Sequence, residues 1–355
     1  MIEFITADSL DLWNESLKAF PKVPVYYLYE YCRAFELHGD GSPLLIKYSD
    51  PSSNLEGICV LMLRDVASDP FFADKIEPNK FFDAVTPYGY GGFVFNEAVS
   101  PSQQAIIGNE LREFLEEKGV VSVFFRFTPV LGNADLSRNI VNVIDLGHTI
   151  AMELDSEDKI WENISSKNRN MIRKAEKNGV EIHHGKGAEL IEEFIPLYNA
   201  TMAKDNAHEY YYFKDPFYAS IVSDLKDNYE IFYALYKNKI ISIAIMLFNG
   251  SQMEYHLSGS LSEYRNLAAG NLLLYKAALW GHSQGFKTFH LGGGVGSGED
   301  SLFKFKAAFN RNSDYRFSIG KLIVDQKKYD MLVKLRKDKD PNFNPSSSFF
   351  PLYRS

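Results

Sequence analysis

Three groups of residues in this sequence have types and spacings that could do chemistry. The first is the run Arg265-Asn266-Leu267-Ala268-Ala269-Gly270, with Asn271 after it. It lies between the strand-like segment MEYHLSGS and the helix-forming stretch NLLLYKAALW. Small residues at 268–270 let the backbone approach a phosphate, and the start of the helix offers free N–H groups and a favourable dipole. That helix is apolar nearly all round, which buries it and holds its first turn rigidly. The same small residues would equally permit plain tight packing of strand against helix.

The second group is Phe305-Lys306 in the run SLFKFKAAF. Leu302, Phe305 and Phe309 would share one helical face, with Lys306 at its border, where an ammonium could stabilise developing negative charge. A surface lysine is the alternative, and Lys304 should be exposed in either case. Asp300, after a glycine-rich turn, fits best as the cap of a helix beginning at Ser301. The third group is His256 and His290, on the two strands that flank the apolar helix. Either could act as a base, directly or through a water, or could simply be hydrogen-bonded inside the sheet.

Weaker signals surround these. Arg169, Arg173 and Lys177 fall at i, i+4 and i+8, one stripe of a helix whose other face is Ile164, Met171, Ile172 and Ala175. The stripe could meet the phosphates of a ligand, or could be a solvated face. Tyr88 and Tyr90, in TPYGYGG, would line an acceptor loop or form a tight turn.

The elements needed to position these residues follow an α/β plan. In the first half, helices are expected over 10–19, capped by Asp8 and Ser9, and over 27–37, stopping at Gly39. Strands are expected over 44–48 and 57–64. A helix opened by Ser100-Pro101, with the stripe Ile107, Leu111, Phe114 and Leu115, ends at Gly119 before the strand VVSVFFRF. The second half repeats this order. Segments 229–236 and 240–248 read as a hairpin around Lys237-Asn238, followed by a strand over 252–258, a helix over 270–283 and the strand FKTFHL. FSIGKLIVD reads as a further strand, 326–337 as a basic helix and DPNFNPSSSFFPLYRS as a loose tail.

Composition sets the outer limits. The chain has 355 residues, enough for two cores, with 45% hydrophobic and 24% charged residues, the balance of a globular protein. A formal net charge of −8 argues against a dedicated DNA or RNA binder, although it leaves room for a local basic patch. No stretch has the apolar length of a membrane span. The acidic, non-basic N-terminus is unlike a secretion signal, and Cys32 and Cys59 lack metal-type spacing, so a reducing cytoplasmic location is expected. No cluster of metal ligands stands out, so no metal is expected. No Ser-His-Asp or Cys-His pattern suggests a covalent enzyme intermediate.

The loop at 265–270 fits Arg/Gln-x-x-Gly-x-Gly/Ala, with Ala268 in place of the first glycine, and resembles the pyrophosphate loop of the GNAT acetyltransferases. Four further segments, in order along the chain, resemble the FemABX peptidoglycan aminoacyltransferases. They are TPYGYGG, WENISSKNRNMIRKAEKNGVEI, FIPLYNATMAKDNAHEYYYF and GGGVGSGEDSLFKFKAAFN. The resemblance implies two tandem GNAT-like domains, each a mixed twisted sheet flanked by helices. It gives an N-terminal domain over 1–154 completed by 315–340, a C-terminal domain over 155–314 carrying the donor-type loop, and a tail over 341–355. Only the second half has such a loop, and the helical arm of some family members is missing.

The function so implied is N-acyl transfer, acetyl or aminoacyl, to an amine of a cell-wall or surface-polysaccharide precursor. No cofactor is expected to stay bound, and the acyl donor would be acetyl-CoA or aminoacyl-tRNA. Donor binding is expected at Arg265, Ala268, Ala269, Gly270 and Asn271, and chemistry at Lys306, His256 and His290. Acceptor binding is expected at Tyr88, Tyr90, Arg169, Lys204, Tyr211 and Phe305. The partners are an amine-bearing acceptor, with tRNA and peripheral membrane contact left open and DNA excluded. Two other readings remain: an acetyl-CoA-dependent N-acetyltransferase of an amino sugar or small amine, and a non-catalytic binding protein on the same fold.

Overall fold

A computed structural model describes Met1–Ser355, and the chain divides into two compact units. Unit 1 comprises Met1–Pro21, Tyr26–Leu146 and Phe317–Ser355, and unit 2 comprises Lys22–Val25 and Gly147–Arg316.

Unit 1 opens with β1 (Ile2–Ile5), α1 (Leu10–Lys18), α2 (Tyr29–His38), β2 (Ser42–Asp50) and β3 (Leu55–Asp65). It continues with β4 (Phe82–Val85), β5 (Val94–Phe95), α3 (Pro101–Glu117) and β6 (Val120–Arg126). Local sequence explains the borders. Gly39 closes α2 at φ 107, accepting no side-chain strain because it has no Cβ. Ser100 and Gln103 form a reciprocal capping box at the start of α3, with Pro101 in the first turn. Ser9 makes no capping bond to α1, contrary to expectation, because Asp8 and Ser9 belong to a short 3-10 turn that precedes the helix.

Unit 2 is formed by β7 (Asn142–Glu153), which enters it at Gly147, followed by α4 (Glu157–Asn163), α5 (Ser166–Lys177), β8 (Glu181–Gly185), α6 (Ala188–Lys204) and α7 (Asp215–Ser223). Then come β9 (Tyr229–Tyr236), β10 (Lys239–Asn249), β11 (Gln252–Ser260), α8 (Ala269–Ser283), β12 (Thr288–Gly292) and α9 (Ser301–Ala307). The β9–β10 hairpin turns at Lys237 and Asn238, at φ 52 and 61, the left-handed pair that suits the twist of a two-residue turn. The chain returns to unit 1 through β13 (Tyr315–Ile323) and α10 (Gln326–Lys339).

The sheets of the two units share one grammar. In unit 1, β1, β2, β3 and β4 pair antiparallel, β4 pairs parallel with β6, and β13 adds antiparallel to β6. In unit 2, β8, β9, β10 and β11 pair antiparallel, β11 pairs parallel with β12, and β7 adds antiparallel to β12. Each parallel step is made by a crossover that contains a helix, α3 or α8, as such a connection requires. Both units are therefore mixed α/β sheets flanked by helices.

Where a loose tail was expected, the end of the chain is packed into unit 1. Tyr353 is fully buried, its hydroxyl 2.9 Å from Ser122 Oγ, and Arg354 Nε donates to Asp83 Oδ2 at 2.6 Å. Arg64 Nε donates to the other oxygen of Asp83 at 2.6 Å, so this buried carboxylate is held between two guanidinium groups. Low apparent periodicity in 341–355 hid one aromatic anchor and one arginine.

Candidate active site

In unit 2 the strands β11 and β12 pair only from Gln252–Thr288 to Glu254–His290, although β11 runs on to Ser260 and β12 to Gly292. Past that point no strand lies opposite one edge of β11, which leaves a notch lined by backbone groups able to pair with a ligand. Opposite β10, Tyr255 faces Met246 and Leu257 faces Ile245, so His256 is the extra residue of a β-bulge. Bulges bend a strand and re-aim side chains. On the outer side, α6 lies directly against β11: a Cβ on Gly259 would stand 2.4 Å from the carbonyl carbon of Leu197.

The start of α8 lies next along the chain. A 3-10 turn, Ser262–Leu267, ends at Ala268, whose φ 57 and ψ 35 place it in the left-handed region that favours glycine. No side chain caps α8, so its first N–H groups keep their capacity for an anionic ligand. Ala268 and Ala269 are buried, whereas Arg265 is exposed. Asn271 Nδ2 donates to Asn168 Oδ1 at 2.6 Å. Asn168 lies in the first turn of α5, where its own N–H is capped by Ser165 Oγ at 3.3 Å. The starts of two helices are thereby tied together, and the Nδ2 of buried Asn168 has no partner.

Phe305 reaches the same place. The nearest atom to a Cβ built on Gly270 is Phe305 Cζ, at 3.9 Å. Its neighbour Lys306 is buried, with 9% exposure, and Nζ donates to the carbonyl of Gly293 at 2.8 Å. Burial pushes its pKa down to about 8, with Asp300 pulling weakly the other way. Lys304 is exposed, as expected. Asp300 caps α9: Oδ1 accepts from the N–H of Phe303 at 2.8 Å, and that bond lowers its pKa. Leu302 does not join the apolar face. It is exposed, and Phe303 packs against the core in its place.

The two histidines differ sharply. His290 is 2% exposed, with Nδ1 2.9 Å from Glu254 Oε2 and Nε2 2.9 Å from Thr149 Oγ1. Both ring nitrogens are thus engaged across β11, β12 and β7. His256 is partly buried, and desolvation pushes its pKa down to about 3, so it stays neutral at ordinary pH. Glu254 and Thr149 carried no sequence signal, because only strand register brings them to His290. Asn168 could have been singled out from its place three residues after a capping serine.

The remaining expected site residues have ordinary partners. Arg169 and Arg173 lie over the Trp161 ring, 5.9 and 5.1 Å from its centre, so this part of the basic stripe rests on an aromatic face. Lys204, at the end of α6, pairs with Asp205 at 3.3 Å, and Tyr211 meets Tyr210 edge-on at 5.4 Å. In unit 1, Tyr88 stacks on Phe35 at 5.1 Å, and Tyr90 meets Tyr26 and Phe317 edge-on at 5.6 and 5.7 Å.

Comparison with known proteins bears on this geometry directly. Residues 165–306, from the start of α5 to Lys306, match the family model of the acetyltransferase (GNAT) domain. This segment of unit 2 carries the features of a GNAT domain. The match takes in the parallel step, the helix α8 and the turn that carries Phe305 and Lys306. Among solved structures, the fold is similar to FemX, with a TM-score of 0.65 at 14% identity, covering 93% of this chain and 99% of that one. It is also similar to a conserved protein of unknown function from Bacteroides thetaiotaomicron (TM-score 0.57, 11% identity, covering 91% and 100%). A third likeness is to the C-terminal domain of a putative lysylphosphatidylglycerol synthetase from Agrobacterium fabrum (TM-score 0.52, 14% identity, covering 88% and 92%). No curated protein matches the sequence. These likenesses show a shared α/β fold.

Proposed function

We propose that this GNAT domain transfers an acyl group from acetyl-CoA to an amine, with the donor's phosphates held at the start of α8. The observation that carries this reading is the uncapped first turn of α8, entered through left-handed Ala268, beside the point where β11 and β12 part. The free N–H groups suit a pyrophosphate, and the open edge of β11 suits the amide-bearing arm of a CoA thioester. Arg265, exposed just before the loop, supplies a cation, while Ala269, Gly270 and Asn271 shape the turn.

In the reaction, the amine attacks the thioester carbonyl, the C–N bond forms, and the C–S bond breaks with release of the thiol. The charge that develops on the carbonyl oxygen needs a fixed positive or hydrogen-bonding partner. Lys306 fills that role: it is anchored on Gly293, sits beside Phe305 and is mostly charged at neutral pH. His256, neutral and in a bulge, is suited to orient the amine by hydrogen bonding, and His290 holds the strand layer that carries it. Direct transfer follows, with no acyl-enzyme.

The acceptor that the FemABX resemblance implies is an amine on a cell-wall or surface-polysaccharide precursor, and within unit 2 the residues that would help to bind it are Arg169, Lys204, Tyr211 and Phe305. A second donor, aminoacyl-tRNA, is favoured by the same resemblance and by Arg169 and Arg173. Two buried free thiols suit a cytoplasmic setting, and no helix is long and apolar enough to cross a membrane.

Thermal unfolding with and without saturating acetyl-CoA tests the donor. A ligand at about 100 times its Kd adds about 2.7 kcal/mol to native stability, and the midpoint must rise. No rise with CoA, together with salt-sensitive tRNA affinity, would move the donor to aminoacyl-tRNA. No response to either would make the start of α8 a packing joint and sink the proposal.

A further inference from the structure

A cleft of about 620 Å³ opens on unit 1, in a part of the fold that the acyl-transfer chemistry does not use. Of its eleven lining residues three are cationic, Arg112 from α3, Arg138 from the loop before β7, and Lys321 from β13, and none is acidic. In a chain of net charge −8 this is an inverted local balance. A concave wall of one sign raises the local concentration of the opposite ion.

The three cations are not equally satisfied. Arg138 is neutralised by Asp135, 2.8 Å away, and by Asp145, 3.0 Å away. Arg112 donates to the carbonyl of Ile323, and Lys321 donates to that of Ser348 at 3.2 Å while its ammonium lies 5.5 Å from the centre of the Phe350 ring; neither meets a carboxylate there. An arginine has five N–H donors and a lysine three, so both retain donors for an anion. The carbonyl contacts restrain the side chains, which reduces the entropy lost when a ligand arrives.

One side has a different chemistry. Tyr329 and Phe350 form an apolar wall beside Lys321, their rings stacked at a centroid distance of 5.9 Å, whereas Leu322 and Val141 pack into the core on the other face of β13. A bare inorganic ion would leave that apolar surface wet. The volume falls within the range of small-molecule sites, about 300–1,000 Å³.

We propose that this cleft binds a small phosphate ester carrying an apolar group, with Arg112 and Lys321 on the phosphate and the apolar part against Tyr329 and Phe350. The site lies wholly within unit 1 and does not depend on the donor assigned to unit 2.

Isothermal titration of the full chain with phenyl phosphate, at low salt, tests it. Phenyl phosphate should bind more tightly than either inorganic phosphate or phenol, and added salt should weaken it. Replacing both cations, Arg112→Gln with Lys321→Gln, should weaken phenyl phosphate by about tenfold or more, the scale of lost charge-assisted hydrogen bonds. Lys118→Gln, at the C-terminal end of α3 and outside the lining, should change nothing. If the double variant melts well below the wild type, the two single variants carry the test, each losing part of the affinity. The proposal is overturned if phenyl phosphate fails to bind, if inorganic phosphate binds equally well, or if the variants bind like the wild type. Binding to vesicles of anionic phospholipid without binding to phenyl phosphate overturns it as well.

Discussion

Lys306 combines two properties that constrain each other: it is buried deeply enough to lose part of its basicity, yet it stays hydrogen-bonded to a backbone carbonyl. If its charge stabilises the developing oxyanion, kcat/KM should fall as pH rises through about 8, where the ammonium of the free enzyme is lost. A lysine acting as base would give the opposite limb, so a pH–rate profile separates the two. Lys306→Met should lower kcat by about a hundredfold or more, the scale of one lost oxyanion partner, while the stabilisation by CoA persists. The stability consequence has its own sign. Unfolded lysine keeps its proton up to about 10.5 and folded Lys306 up to about 8, so in that window the unfolded state binds more protons. Native stability therefore rises between about pH 8 and 10.5 by about 3 kcal/mol from this group. Urea unfolding at pH 7.5 and 10, wild type against Lys306→Met, measures the difference. Among single residues, Lys306, Asp300 and Lys304 could be read from their neighbours in one short helix. The engagement of His290 could not, because Glu254 is 36 positions away and Thr149 is 141.

At the level of elements, the two sides of β11 depend on small residues with different needs, Ala268 where the chain enters α8 and Gly259 where β11 meets α6. Ala268 occupies a left-handed conformation that costs an alanine about 1 kcal/mol or more. Ala268→Gly should therefore leave the melting temperature unchanged or raise it slightly, since relief of strain offsets the extra freedom of the unfolded chain. Gly259 faces the backbone of α6 at a distance no side chain can share. Gly259→Ala should destabilise unit 2 by about 2–3 kcal/mol, seen as a lower denaturant midpoint, and should push α6 from β11. The elements themselves were largely legible: the capping box of α3, the Lys237-Asn238 turn and the apolar run of α8 are local signals. The bulge at His256 and the parting of β11 from β12 were not, because both are properties of pairing between distant strands. Short edge strands such as β5 and β8 also gave little signal, having too few residues for a period to register.

On the scale of the whole chain, the feature that sequence reading missed most plainly is the docking of the last residues. Tyr353 and Arg354 fill a place in unit 1 beside Ser122 and Asp83 that nothing local in DPNFNPSSSFFPLYRS announced. Removing 350–355 would empty a buried aromatic site and leave Asp83 with Arg64 alone. The loss should be about 3–5 kcal/mol, with a clear fall in the melting temperature of unit 1. Tyr353→Phe, which keeps the ring and removes only the bond to Ser122, should cost about 1 kcal/mol.

Unit 1 is assembled from three separated stretches, Met1–Pro21, Tyr26–Leu146 and Phe317–Ser355, with all of unit 2 after Val25 synthesised between the second and the third. On a ribosome adding about 5–20 residues per second, the segment that becomes unit 2 emerges complete while unit 1 still lacks β13, α10 and the Tyr353 anchor. The earlier-made half must therefore wait, with the β6 edge and the pocket for Tyr353 uncovered. During that interval the nascent chain would present its main target for chaperones and for misassociation with neighbouring copies.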